Sequence, residues 1–363
     1  MTKFAHAMVM TEFKQPLEYK EFPIPKVGKG EVLVRIRAAG VCGSDVHMWS
    51  GEDPRTPRPI ILGHEGAGEI VQIGGNKSSA DGHELKIADR ILWNRGVVCG
   101  ECYWCKTRSD PSLCPHRWVY GIHNRCDSPP HLNGCYAEYV LLDRRTDIFK
   151  VDCDDLSVFV PASCSGATAA HAVELCPVAP GDTVVVQGPG PLGLFLVAFA
   201  VEAGAKEIVV IGGTPDRLKL CRTMGATQSL NRKETTRESR REFIMALTNG
   251  RGADVAYEAV GTADAVEEGV ALVRNGGCYG LTGFGQPGGS VTLDCFSHIV
   301  RKNLRLQGVW VSHTKHTKQA LDLVARNLDK FKQIITHRFP LREANAALDA
   351  MRQRSALKIV LEA

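Results

Sequence analysis

The chain has 363 residues, a formal net charge of +4, 44% hydrophobic and 23% charged residues, the balance of a globular protein rather than a disordered or membrane one. No stretch of about 18 uninterrupted apolar residues could span a bilayer, and no run of five or six Lys or Arg could follow a phosphate backbone. Neither a membrane nor a nucleic acid is therefore expected as a partner.

The length exceeds what one hydrophobic core comfortably fills, so two domains are expected. Residues 1–10 lack the apolar segment of a secretory signal, which points to the cytoplasm. Thirteen cysteines are many. Their odd number without a leader argues for metal ligands and buried thiols rather than a disulfide framework.

Short β-like runs open the chain, Glu31 to Arg37 and Ile60 to Leu62 among them, punctuated by Gly and Pro. From Cys99 to Cys135 the sequence is dense in Cys, Gly, Pro, Asn and Asp without periodicity and reads as loops held by something other than a core. After Pro161 the texture changes. Strand candidates Thr183–Gln187, Ile208–Ile211, Asp254–Glu258, Gly277–Leu281 and Leu304–Val311 alternate with helix candidates Leu192–Ala203, Asp216–Met224 and Ala263–Val273. That alternation predicts an α/β doubly wound parallel sheet. The last stretch reads as helix Gln319–Asn327, helix Glu343–Arg352 and a closing strand Leu357–Leu361.

Gly188-Pro189-Gly190-Pro191-Leu192-Gly193 is GxGxxG set between a predicted strand and a predicted helix. The first glycine permits the tight turn, the second lets backbone approach a pyrophosphate, and the third lets helix and strand pack closely. An NAD enzyme usually carries an acid about 20 residues further on to hold the ribose 2′-OH. Gly212 stands there instead, followed by Gly213 and Thr214, with Arg217 the nearest cation. NAD is expected over NADP, with NADP left open.

Cys99, Cys102, Cys105 and Cys114 spell C-x2-C-x2-C-x8-C. Such closely spaced thiolates close a tetrahedral zinc site within one loop, with no open position for chemistry. A second set is dispersed: Cys42 in GVCGSDVH, His64 and Glu65 in GHEG, and Cys164 after Pro161. Cys2His plus an open position is one known catalytic zinc arrangement, although spacing alone does not connect these residues.

Together these motifs, in this order and with the ending Lys358-Ile359-Val360-Leu361, resemble the zinc-containing medium-chain alcohol dehydrogenases over essentially the whole chain. The resemblance implies a strand-rich, GroES-like catalytic domain, shaped as a partly open barrel and built from residues 1–165 and 311–363. Its structural-zinc lobe would span about 95–118, and a Rossmann domain of residues 166–310 would be inserted. It implies a homodimer or homotetramer, and two zinc ions per chain. Carried over by position, Cys42, His64 and Cys164 would hold the catalytic zinc, with Glu65 as an alternative ligand. Ser44 would take the substrate proton and relay it through the nicotinamide ribose toward His47. Asp45 would orient His64, as metal-bound imidazoles commonly require.

Two features depart from the family. The Cys105–Cys114 gap is one residue longer than is common, and His123 to Leu132 reads as an insertion. Polyol dehydrogenases of this superfamily tend to carry Glu at the position of Cys164, which disfavours a sugar alcohol. Trp49 and Trp93 fall where the resemblance puts pocket walls, which would suit a hydrophobic or cyclic secondary alcohol. Zinc would act as a Lewis acid on the alcohol oxygen while hydride moves to the nicotinamide. The alternatives are a polyol dehydrogenase, a zinc-free double-bond reductase, a non-catalytic paralogue, and a redox-sensing binding protein that uses the cysteine lobe for recognition.

Overall fold

The computed structural model describes residues 4–363 and divides into two compact units, Met1–Cys164 with His313–Ala363, and Ser165–Ser312. Among the described residues, no single helix is long and apolar enough to cross a membrane.

In the first unit the central strand is Val32–Val41, whose residues are largely buried. It pairs antiparallel with Gly66–Ile73 on one side and with the closing strand Lys358–Glu362 on another. Strands Arg90–Trp93, Ile148–Lys150, Tyr139–Leu142 and Ile335–Pro340 complete a seven-stranded sheet. Register decides what meets at the end of the central strand. Ala39 lies opposite Gly66 and Val41 opposite Ile359, so Cys42, His64-Glu65 and Lys358 converge from three strands that are distant in sequence. Gly40 must lack a side chain there, because a Cβ would run into the Glu65 carboxylate and Val160.

The second unit holds a parallel six-stranded sheet in the order Gln228–Asn231, Glu207–Gly212, Thr183–Gln187, Ala253–Glu258, Val273–Leu281 and Arg305–Gly308. The chain starts in the middle and winds outward in both directions, leaving a topological switch point between Thr183–Gln187 and Ala253–Glu258. Helices Pro191–Glu202, Pro215–Met224 and Ala263–Leu272 follow their strands close to the expected bounds. Strand Gln228–Asn231 and helix Arg237–Leu247 were not expected. The former is polar and only half-buried at a sheet edge, and so lacks the apolar run that signals a strand.

One cysteine pair corrects the expectation of thiols throughout. Cys176, just after helix Ser165–Leu175, is joined in a disulfide to Cys278 in strand Val273–Leu281. A pair 102 residues apart carries no spacing signal.

Candidate active site

The donor atoms of Cys42, His64, Glu65 and Cys164 lie within 4.8 Å of one another. Cys42 is the N-cap of helix Gly43–Ser50, and its backbone N–H donates to Asp45 Oδ2 at 2.8 Å, half of a capping box. That cap fixes Asp45, whose other oxygen stands 3.4 Å from His64 Nδ1. The Tyr136 hydroxyl donates to Asp45 Oδ2 at 3.2 Å. With Nδ1 facing Asp45, His64 turns Nε2 inward, 3.5 Å from Cys164 Sγ and 3.4 Å from Ser44 Oγ. The His64–Cys164 separation matches the edge of a small tetrahedron around zinc, roughly 3.4–3.8 Å for bonds of about 2.1–2.3 Å. A buried imidazole aimed by a carboxylate is what a metal ligand needs.

The electrostatics are those of a crowded donor set. The Cys42 thiol is held well below its ordinary range, first by its hydrogen bond with Cys164, while Cys164 is pushed well above it by the same bond and by burial. Burial opposes protonation of His64, but Asp45 outweighs it and raises the imidazole to about 9. Glu65 is raised by burial, and Lys358 Nζ lies 2.5 Å from its Oε2. That lysine, the Tyr136 hydroxyl and the Arg95 guanidinium, whose Nη1 donates to Cys164 Sγ at 2.8 Å, are site residues the sequence reading missed. Only three-dimensional register brings them in.

Ser44 and His47 stand one turn apart on the helix face that begins at Cys42. His47 Nδ1 faces Glu52 Oε2 at 2.5 Å on the partly exposed side. Trp93 is only 1% exposed and packs in the hydrophobic core. Trp49 packs against that core and donates its indole N–H to the Gln15 carbonyl at 2.8 Å. Both indoles are thus engaged in packing.

In the cysteine lobe, Sγ–Sγ distances are 4.0 Å for Cys99–Cys105, 3.6 Å for Cys102–Cys105 and 3.5 Å for Cys99–Cys114. These suit a ZnS4 tetrahedron, whose edge is about 3.8 Å. The Cys102 N–H points at Cys99 Sγ, and backbone N–H groups, that of Glu101 foremost, draw the Cys99 thiol down to about 6. The longer loop between Cys105 and Cys114 is taken up by the short 3-10 turn Pro111–Leu113.

In the second unit Gly188 has φ +109° and closes the turn onto helix Pro191–Glu202, whose N-cap is Gly190. A Cβ on Gly193 would collide with the Gly188 carbonyl. Gly212 ends its strand under Pro189 and Leu218. A side chain at Gly213 would meet Arg232 Nε at 3.1 Å and Lys233 Cε at 3.5 Å. Thr214 caps the helix that carries Arg217. Glu258, also missed, accepts from the N–H groups of Val260, Gly261 and Gly283 and so fixes two loops at the switch point.

Known proteins share this fold. Residues 28–152 match the alcohol dehydrogenase GroES-like domain and residues 191–326 the zinc-binding dehydrogenase family. The 5-exo-hydroxycamphor dehydrogenase of Pseudomonas putida is 33% identical over 99% of both chains. An alcohol dehydrogenase from Thermotoga maritima superposes with a TM-score of 0.96 at 51% identity, again over 99% of both chains. A zinc-binding dehydrogenase from Sinorhizobium meliloti, determined bound to NADP, gives 0.86 at 25% identity over the full length of both. The class is thus zinc-binding dehydrogenase. Within it, the chain belongs to the zinc-containing medium-chain alcohol dehydrogenases and is an NAD(P)-dependent oxidoreductase.

Proposed function

We propose that the protein transfers hydride between an alcohol carbon and a nicotinamide dinucleotide at a zinc centre held by Cys42, His64 and Cys164, with Glu65 as an alternative ligand. The observation that carries this reading is the buried convergence of those four donors, with Asp45 behind His64. Zinc held there supplies Lewis acidity to the substrate oxygen. The protein's own residues do the rest. Asp45 orients His64 and Tyr136 steadies Asp45. With coenzyme bound, the Ser44 hydroxyl, beside His64 Nε2, would accept the alcohol proton, and His47, one turn further along the same helix, would hand it on toward solvent. The four thiols of the lobe hold a second, structural zinc. The backbone around Gly190, Pro191 and Leu192 receives the pyrophosphate at a helix N-terminus.

The coenzyme that fits is NADP rather than the NAD expected from the sequence. Gly212 brings no carboxylate to repel a 2′-phosphate, and Arg232 and Lys233 border Gly213, where cations would attract one. A panel of alcohols offered to zinc-loaded protein with either coenzyme, followed by the absorbance of reduced nicotinamide, tests both points. Oxidation abolished by chelation and faster with NADP is expected; turnover indifferent to zinc would refute the zinc-centre reading. Ser44→Ala should lower turnover about 100-fold or more with zinc content intact, and unchanged turnover would remove the relay.

A further inference from the structure

Two arginines in the first unit keep buried N–H donors that the proposed chemistry leaves unused. Arg95 is 8% exposed, and beyond the bond from Nη1 to Cys164 Sγ its buried Nε has no hydrogen-bond partner. The buried Nη2 of Arg117 is likewise unpartnered, and it lies against Gly96, the residue after Arg95, where a Cβ would strike the guanidinium. Arg55 belongs to the same neighbourhood, but Asp53 answers it with a two-pronged ion pair of 2.8 and 2.6 Å. Among the described residues, no carboxylate pairs in this way with Arg95 or Arg117.

Buried guanidinium N–H groups without an acceptor are costly. Beside them stand the Cys164 and Cys114 sulfurs, candidate ligands of the two metal clusters, which leave Arg95 Nε and Arg117 Nη2 without an acceptor. What the pair still offers is a set of N–H donors in fixed forks, which match the oxygens of a carboxylate or phosphate. We propose that Arg95 and Arg117 form an anion-recognition subsite beside Cys164, so that the preferred substrate is an alcohol, or its carbonyl product, bearing a carboxylate or phosphate group. This rests on Cys42, His64 and Cys164 being the reaction centre, and it replaces the hydrophobic or cyclic alcohol expected from Trp49 and Trp93.

The test pairs each neutral alcohol with its acidic counterpart, butane-2,3-diol with 3-hydroxybutyrate and glycerol with glycerol 3-phosphate. Zinc-loaded protein is assayed with both coenzymes. In parallel, succinate and inorganic phosphate, which have no hydroxyl to oxidise, are titrated calorimetrically into wild type, Arg117→Met and Arg117→Lys. The wild type should favour an acidic member at least tenfold in kcat/KM. One of the two anions should bind at least tenfold more tightly to wild type than to Arg117→Met, with Arg117→Lys between them, and which anion binds separates carboxylate from phosphate. Neutral members used as well as acidic ones, with anion binding equal in all three proteins or absent, overturns the subsite while leaving the dehydrogenase reading intact. Arg117-dependent anion binding without oxidation of any alcohol keeps the subsite and refutes the zinc-centre reading. The wild-type comparison stands even where a variant fails to fold.

Discussion

The cysteine lobe draws four thiols from one short loop, Cys99 to Cys114, whereas the buried cluster collects Cys42, His64, Glu65 and Cys164 from separate parts of the first unit. The lobe is partly exposed, and its polar support is mostly its own backbone. The buried cluster is surrounded by side chains that orient or neutralise it: Asp45, Tyr136, Lys358 and Arg95. A loop that brings its own donors needs little from the rest of the fold. A site assembled by strand register needs neighbours that fix each donor, and so it is vulnerable at residues that touch no metal.

The sharpest separation of the two comes from His64→Ala. It should cut turnover at least ~1,000-fold, about 4 kcal/mol, with metal analysis showing one zinc lost and the lobe zinc kept. Loss of both ions would mean the clusters are not independent. Next is Lys358→Met, which leaves Glu65 buried without its partner and should destabilise by about 3 kcal/mol in denaturant unfolding. Adding Glu65→Leu should restore most of that, and failure to do so would show that the lysine acts through something other than this pair.

Asp45→Asn should weaken zinc binding at the buried cluster by about 10–100-fold, with no change at the lobe, as read by competition with a chromogenic chelator. Equal weakening at both would erase the contrast. The smallest effect is expected away from both clusters. Asp254 accepts from the Thr183 N–H at 2.8 Å and from Arg274 Nε at 2.6 Å. Burial works against its charge, but these partners hold its carboxyl below the usual range. A depressed carboxyl contributes stability above its unfolded value near ~4 and loses it as pH falls through the folded value. Asp254→Asn should therefore cost about 1 kcal/mol at pH 7, discounted for the exposure of Arg274, and the deficit should vanish toward pH 3 in thermal melts.

The same contrast explains what could be read from sequence. The lobe is legible because its spacing is its geometry, and the glycine loop because Gly188 and Gly193 answer local steric demands. The family resemblance located the buried donors and Asp45, which spacing could not connect. Lys358 entered only as part of a family motif, because its role exists only once Val41 sits opposite Ile359, and that of Tyr136 only once its N–H meets the Leu62 carbonyl. Arg95 sits one residue before Gly96 in an ordinary loop, and nothing local marks it as the donor to Cys164. Strand Gln228–Asn231 escaped because an edge strand can be polar, and the Cys176–Cys278 disulfide because both residues look like core thiols.

Lys358 has one more consequence, for the order of assembly. It reaches Glu65 only after the whole of Ser165–Ser312 has been made, and that unit has a complete sheet of its own. During synthesis the dinucleotide unit can close on local contacts, while the end of strand Val32–Val41 waits for a neighbour encoded almost three hundred residues after Glu65. In that interval the Glu65 carboxylate has no ammonium beside it. The nascent chain thus carries a finished parallel-sheet unit before strand Val32–Val41 has its closing neighbour.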